Sequence, residues 1–444
     1  MADMSGRSRK TYMLNMGPAH PSMHGVVRLV LELEGEKIID VDTEIGYLHR
    51  AFEKHAENET WNNVVPWTDR LNYVSPLINN VGYAMAVESL VGVTVPERGQ
   101  YIRVIASEIS RVCDHLTCVG ATAMELGSLT VFLYLIKARE YLYQLVDNLT
   151  GARVTTSFTR VGGVKGDLPA DFAGKFHSIA KEIRTAVDES DRMLARNRIF
   201  MDRMEGTGVL SATDAIAYGV TGPFLRSTGV PYDVRRAHPY AVYDKLDFEI
   251  PIGATGDNYD RYLCRMAEIE QSLRIIEQCL QLIPPGKHSL EPKEIKYAFE
   301  IQDAGKRGDT ALLARYAAKV DQTLAGMSKD DQSGTRVLDR AVTLPAKETA
   351  YANIEGLINH FELVMWSWGV KIPASQTYFA VEGGNGELGF HLVSDGGDGT
   401  YRVRCRPPCL FAMAAMKKLL IGGQIADIIP TFGSINMIAG ELDR

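Results

Sequence analysis

Asn15-Met16-Gly17-Pro18-Ala19-His20-Pro21-Ser22-Met23-His24-Gly25 runs directly into Val26-Val27-Arg28-Leu29-Val30-Leu31-Glu32-Leu33-Glu34-Gly35. The first half is broken by Pro18, Pro21 and Gly25, and the second alternates apolar and polar side chains. Prolines and glycine ahead of a period-two run describe a loop that feeds a strand. A further strand begins at Lys37-Ile38-Ile39-Asp40-Val41-Asp42, so the chain opens as a small sheet. His20 and His24 then lie four apart on an irregular loop held by that sheet, where binding residues tend to gather. Imidazoles that titrate near neutral pH suit proton exchange or hydrogen bonding to a polar ligand.

The chain has 444 residues, enough for two or three structural units around a substantial core. Its 45% hydrophobic and 23% charged residues are those of an ordinary soluble globular protein. A net charge of -7 and the lack of a long basic run argue against nucleic-acid binding. Ser5-Gly6-Arg7-Ser8-Arg9-Lys10 is a short basic tail with no apolar core after it, unlike a signal peptide. The most apolar stretch, 116–136, is interrupted by Gly120, Glu125 and Gly127, and no segment reaches the ~20 apolar residues that span a bilayer. Membrane association must therefore come through partners. Six cysteines with no secretion signal point to reduced thiols in a cytosol-like compartment.

From Leu48 the pattern turns helical. The longest helical signal covers 97–150, with Tyr101, Val104, Ile105, Ile109, Val112, Leu116 and Val119 at three-to-four spacing. Gly120, Gly127 and Gly151 mark kinks or close helix contacts. Pro169 opens a charged helix to about 203 with Asp191, Arg192, Arg196 and Arg198 on its solvated face. Residues 257–282 form another, halted by Pro284-Pro285-Gly286. The polar stretch from Glu291 to Lys347 reads as a solvated insertion with a helix at 309–325 and a loop at 328–334. The β signal returns in Tyr378-Phe379-Ala380-Val381-Glu382, Gly389-Phe390-His391-Leu392-Val393 and Tyr401-Arg402-Val403-Arg404-Cys405. The glycines between these runs fit hairpin turns, and no Lys-Ser/Thr follows them as a phosphate loop requires. The expected fold is α+β, divided into a β region with the His loop (1–47), a helical core (48–290), the insertion (291–347) and a C-terminal α+β region (348–444).

Further motifs accompany the opening segment: Glu44-Ile45-Gly46-Tyr47-Leu48-His49-Arg50-Ala51-Phe52-Glu53-Lys54, Thr68-Asp69-Arg70-Leu71-Asn72-Tyr73, Arg153, Arg160-Val161-Gly162-Gly163, and Phe432-Gly433-Ser434-Ile435-Asn436-Met437-Ile438-Ala439-Gly440-Glu441-Leu442-Asp443-Arg444. In this order they resemble the D-type subunit of respiratory complex I, the 49-kDa-type subunit related to nickel-iron hydrogenase large subunits. The resemblance spans nearly the whole chain and weakens near 292–345. It implies a hydrogenase large-subunit-like fold, with a long-helix bundle between small β regions near the two ends. A nickel-iron centre needs two CxxC pairs. Cys113 and Cys118 have four residues between them, Cys405 and Cys409 three, so buried cysteine is the better reading. A zinc helix using His20 and His24 is excluded by Pro18 and Pro21.

The resemblance implies a quinone-binding subunit in the peripheral arm of a proton-pumping NADH:quinone oxidoreductase, at the cytoplasmic face of the bacterial inner membrane. Electrons would come from a [4Fe-4S] cluster in a partner, with no metal or NADH held by this chain. The expected partners are the small cluster-bearing subunit, the C-type subunit and the membrane subunit below the quinone site. In the family, the second histidine of the opening motif and a tyrosine about fifty residues later bracket the quinone headgroup, which points to His24 and Tyr73. An imidazolium and a phenol can bond the two carbonyl oxygens and deliver two protons. A carboxylate should pair with the histidine, and Glu125 stands where the family usually has aspartate. Asp427 and Ile428 fall in a segment placed beside the quinone cavity, and Arg50, Arg70 and His20 near the partner cluster, whose potential a cation raises. Thr155 replaces a histidine thought to sense that cluster's redox state. The alternatives are a metal-free scaffold subunit of a hydrogenase-related membrane complex and a true metal-dependent hydrogenase subunit.

Overall fold

In the computed structural model, residues 11–19, 25–290, 310 and 342–444 are described. The 29-residue helix Glu97–Glu125, roughly 43 Å long, runs through the middle of them. Every residue from Tyr101 to Leu116 is buried, so this helix has no solvated face over four turns. Pro76–Val91, Leu129–Thr150, Asn258–Leu282 and Ile428–Ile435 pack around it. An all-round burial of this kind demands that each polar side chain find a partner inside.

The partners are there. Arg103 forks onto Glu88, with Nη1–Oε2 at 2.7 Å and Nη2–Oε1 at 2.5 Å, and also donates to the carbonyls of Arg160 and Gly163. Glu108 accepts from Arg111 Nε at 3.1 Å, Arg235 Nη1 at 3.2 Å, Tyr243 Oη at 2.6 Å and Ser272 Oγ at 2.7 Å. Burial alone would raise the Glu108 carboxyl, but the flanking Arg111 and Arg235 charges hold it below its ordinary value. His115 meets Glu268 at 2.7 Å, and Glu268 in turn binds Arg226, which reaches Glu382 at 2.8 Å.

The helical signal over 97–150 resolves into two helices rather than one kinked rod. The chain leaves the first at Leu126 and turns at Gly127, φ +91°, before Leu129 restarts. The predicted helix to 203 also divides: Phe172–Leu194 ends, and Asn197 caps Arg198–Met204 by accepting from the Ile199 and Phe200 amides. Apart from Thr310, the expected helix at 309–325 lies outside the described residues, as does the loop at 328–334.

Tyr12–Met16, Arg28–Glu34 and Lys37–Glu44 form an antiparallel sheet in sequence order. Its period-two pattern turns Leu29, Leu31 and Leu33 fully inward. They share one core with Met416, Leu420, Phe432, Ile435 and Leu442, which joins the first and last parts of the chain. A second antiparallel sheet, Ser375–Gly383, Gly386–Ser394 and Arg402–Arg406, lies on the Pro76–Val91 helix. Its first turn pairs Gly383 with Gly386. A Cβ on Gly384 would come within 2.1 Å of Asp114 Oδ2, so only glycine lets this turn reach the central helix.

Removing one member of the central network strands the others. Glu108→Ala leaves Arg111 and Arg235 buried without this carboxylate, and should cost about 3–5 kcal/mol of stability. Thermal or denaturant unfolding of the variant chain measures it; a loss within experimental scatter refutes the pairing as a stabilising constraint.

Candidate functional site

The turn Asn72–Ser75 connects a short helix, Val65–Thr68, to Pro76–Val91 and presents Tyr73 at the surface. Asn72 Oδ1 accepts from the Val74 and Ser75 amides at 3.1 and 3.3 Å, a side chain closing its own turn. Asn72 Nδ2 and Ser75 Oγ both donate to Asp114 Oδ2, at 3.0 and 3.3 Å. The turn is thereby pinned to the central helix. Tyr73 is 36% exposed, and its ring lies against the backbone of Gly440, where a Cβ would approach Cδ1 to 3.0 Å. Partial burial raises the Tyr73 phenol above its ordinary value, with Arg50 opposing. At neutral pH it is a hydrogen-bond donor beside solvent.

Arg50 stands next to this turn. Its Nη2 donates to the carbonyls of Arg70 and Gly440, the latter at 3.1 Å. Arg70 Nη1 bonds the Pro66 carbonyl at 2.6 Å, and Arg70 is exposed. Neither guanidinium has a carboxylate ion pair among the described residues. Burial and the neighbouring Arg70 charge lower Arg50 from its ordinary value. Two adjacent cations, Arg70 exposed and Arg50 half-buried, with no direct carboxylate ion pair among the described residues, favour an anionic neighbour.

The last residues of the chain stitch this region together. Asp443 accepts from the amides of Gly46 and Leu48 at 2.9 and 2.8 Å, and its carbonyl meets His49 Nδ1 at 2.7 Å. The Arg50 amide bonds the Arg444 carbonyl at 3.1 Å, and Arg444 Nη1 bonds the Cys405 carbonyl. Behind Gly440, Asn436 Nδ2 bridges Asp114 Oδ1 at 2.9 Å and Asn385 Oδ1 at 2.6 Å. Glu441 is 2% exposed and meets Cys409 Sγ at 2.8 Å.

Of the residues expected from the sequence, Tyr73, Arg50 and Arg70 come together. His20 and His24 lie outside the described residues; Gly25, which follows them, packs on Met437 and Ala439, beside the Gly440 that backs Tyr73. Glu125 ends the central helix and is half-buried, with its carboxylate Oε2 shielded from solvent. Eleven residues, roughly 16 Å of helix, separate it from Asp114, so Glu125 is not part of the Tyr73 contact group. Asp427 accepts from the Gln424 amide at the start of its own short turn, and Ile428 is buried in the core shared by the chain ends. Thr155 is exposed. Asp69, from the Thr68–Tyr73 motif, is buried and holds Ser157 through its amide at 2.9 Å and its hydroxyl at 2.6 Å. The Arg160–Gly163 motif is anchored likewise, the Gly162 amide on Glu88 at 2.7 Å.

Sequence reasoning missed Asp114, Asn385, Asn436 and Glu441. The available signal was a polar series, Glu108, Arg111, Asp114 and His115, at three-to-four spacing inside an apolar helix. All six cysteines are buried with free thiols, and no group of three or more His, Cys, Asp or Glu fit to hold a metal occurs among the described residues. Among those residues, too, no helix is long and apolar enough to cross a membrane.

Glu441 makes stability depend on pH. Burial carries its carboxyl up to about 7 against the Cys409 hydrogen bond, and the Asp114 charge adds to the rise. With its folded-state value raised, its stabilisation is complete below about 4.5 and is lost as pH rises through about 7. The melting temperature should therefore fall between about pH 5 and 8, and fall less in Glu441→Gln. Parallel melting curves for the two chains across that range check this.

A family model described as the 49 kDa subunit of respiratory-chain NADH dehydrogenase matches residues 125–444. The first D-type subunit of Sorangium cellulosum NADH-quinone oxidoreductase is 48% identical over 432 residues, covering 97% of this chain and 95% of that protein. The D-type NADH-quinone oxidoreductase subunit of Myxococcus xanthus is 46% identical over 435 residues, 98% of this chain and 93% of its own length. A C/D-type NADH-quinone oxidoreductase subunit from Bdellovibrio bacteriovorus is 43% identical over 431 residues, 97% of this chain and 68% of that longer protein. The matches reach across both sheets, the central helix and the C-terminal stitching just described, and on that breadth the chain belongs to the 49 kDa subunit family of respiratory-chain NADH dehydrogenase.

Proposed function

We propose that this chain is the quinone-site subunit in the peripheral arm of a proton-pumping NADH:quinone oxidoreductase, and that Tyr73 is one of the two donors to the quinone headgroup. The observation that carries this is a neutral, half-exposed phenol, pinned from behind by Asp114 and Gly440, with Arg50 beside it. Reduction of a quinone to a quinol needs two electrons and two protons. Tyr73 bonds one carbonyl oxygen and gives it a proton; His24 is the proposed donor to the other, with Glu125 as its carboxylate partner. Gly25 and Tyr73 flank the same C-terminal segment, which supports both donors facing one cavity. Asp427 and Ile428 belong to the proposed wall of that cavity.

A partner's [4Fe-4S] cluster would supply the electrons. Arg50 and Arg70, cations without carboxylate ion pairs among the described residues, suit an interface with such a negatively charged group, and His20 is assigned to the same side. The C/D-type relative from Bdellovibrio supports a C-type subunit as one neighbour. The small cluster-bearing subunit and a membrane subunit beneath the quinone complete the proposed set, on the cytoplasmic side of the inner membrane. The fold is proposed to be that of a hydrogenase large subunit that holds no metal, a reading supported by the spacing of Cys113/Cys118 and Cys405/Cys409, which gives no CxxC pair. A scaffold that touches no substrate is the competing reading.

Tyr73→Phe in the assembled complex separates the two. It removes one hydroxyl and little volume, so quinone reductase turnover should fall on the order of a hundredfold while NADH still reduces the clusters. Unchanged kinetics would favour the scaffold. Thr155 cannot titrate, so the potential of the neighbouring cluster should vary with pH by much less than ~60 mV per unit. A redox titration with the full slope sinks that expectation.

A further inference from the structure

Asp114 is fully buried on the central helix, and both of its carboxylate oxygens are committed. Oδ2 accepts from Asn72 Nδ2 at 3.0 Å and from Ser75 Oγ at 3.3 Å, the two ends of the turn that carries Tyr73. Oδ1 accepts from Asn436 Nδ2 at 2.9 Å, in the C-terminal segment that reaches the Tyr73 ring at Gly440. Of the side chains this short, only a carboxylate accepts on both atoms of its fork. An amide in its place would set donor against donor on one side. Neither neighbouring amide is free to turn round and relieve that. Asn72 Oδ1 is held by the Val74 and Ser75 amides, and Asn436 Nδ2 is shared with Asn385 Oδ1 at 2.6 Å.

The carboxylate is also fixed in space from the opposite side. Gly384, in the turn of the C-terminal hairpin, lies directly against it. The three atoms nearest a Cβ there are Oδ2, Cγ and Cβ of Asp114, with Cγ at 2.8 Å. The Gly384 backbone lies outside the left-handed region, so a methyl group is opposed by this contact and not by conformation. A longer acid at position 114 meets the same wall. The turn has one further side-chain tie, Asn79 Nδ2 to the Asn72 carbonyl at 3.0 Å, and Asn79 belongs to the helix that the turn itself begins. Asp114 is what joins the turn to the central helix.

We propose that Asp114 is the positioning residue for Tyr73 in quinone reduction, held in register by Gly384. It acts through Asn72 and Ser75, which bracket Tyr73 and Val74, so that the phenol is aimed at the carbonyl oxygen it serves. Its role is one of placement alone, and no proton passes through it. This deepens the reading of Tyr73 as a donor to quinone and rests on it.

The test uses the assembled complex carrying Asp114→Asn, which keeps the shape of the side chain and removes one acceptor. Quinone reductase kcat per assembled complex should fall on the order of tenfold with KM little changed, because a misaimed donor is a loss in the transition state. In a Tyr73→Phe background the same change should cost less than about twofold more, since no hydroxyl is left to aim. Gly384→Ala, which pushes the carboxylate from behind, should show the same pattern. Losses that simply multiply with that of Tyr73→Phe, or full turnover in both single variants, overturn the proposal. If either variant does not assemble, Ser75→Ala, which deletes one donor to Oδ2, replaces it in the same comparison. Normal turnover in Tyr73→Phe removes the donor reading itself. Electron cryo-microscopy of the Asp114→Asn complex then decides the placement separately: residues 72–75 shifted from the central helix support it, and an unmoved turn overturns it.

Discussion

The constraint on which the rest of the structure depends is the burial of the central helix on every side while it carries Arg103, Glu108, Arg111, Asp114 and His115. Each of these costs several kcal/mol to desolvate unless a partner meets it. The surrounding elements are therefore fixed by charge as well as by shape. Glu88 fixes the Pro76–Val91 helix, and the Arg160–Gly163 turn hangs from the same ion pair. Arg235 and Asp233 fix the segment before the Asn258 helix, and Glu268 fixes that helix itself. Arg111 donates to the carbonyls of Glu382 and Gly383, which brings the first C-terminal hairpin to the helix at its turn. Asp114 takes what remains, the Tyr73 turn and Asn436.

A second constraint closes the molecule. The final residues hold the 46–50 segment by backbone bonds to Asp443 and Arg444 and fill the core beneath the N-terminal sheet. Segments nearly 400 positions apart in sequence thus determine one surface, with |i−j| of 397 for the Gly46–Asp443 contact. Such a surface forms only once both segments have met in the folded chain, which suits a site whose donors must be placed to within a fraction of an ångström.

Much of this was legible. The alternation in Arg28–Glu34 gave the inward leucines, and the glycine-rich turns after Glu382 gave the hairpins, because both depend on local backbone geometry. The C-terminal run and the Thr68–Tyr73 motif meet in the folded chain, where Tyr73, Arg50 and Arg70 lie close to Gly440. What the sequence hid was pairing across distance. Asp114 reads as one polar residue in an apolar stripe, and nothing near it in sequence announces Asn72 or Asn436. Glu125 hid its place rather than its burial: it closes the central helix where the chain turns at Gly127, and its Oε2 is shielded from solvent there. Apolar composition sets burial on average, whereas the position of a helix end depends on the tertiary packing around it.

The two kinds of anchoring make different demands on the site. Charge pairs inside the core are rigid because breaking one exposes an uncompensated ion to a low-dielectric surround. The Tyr73 turn inherits that rigidity through Asp114, while its phenol remains at the surface, where a substrate can reach it. Arg50 links the two regimes, bonded to the Gly440 and Arg70 carbonyls while making no direct carboxylate ion pair among the described residues. An exposed loop bearing the same tyrosine would present it in many orientations and lose most of the advantage of proximity. Holding the phenol on a turn clamped from within fixes its direction while leaving it open to solvent, a combination that neither a fully buried nor a loosely tethered tyrosine would provide.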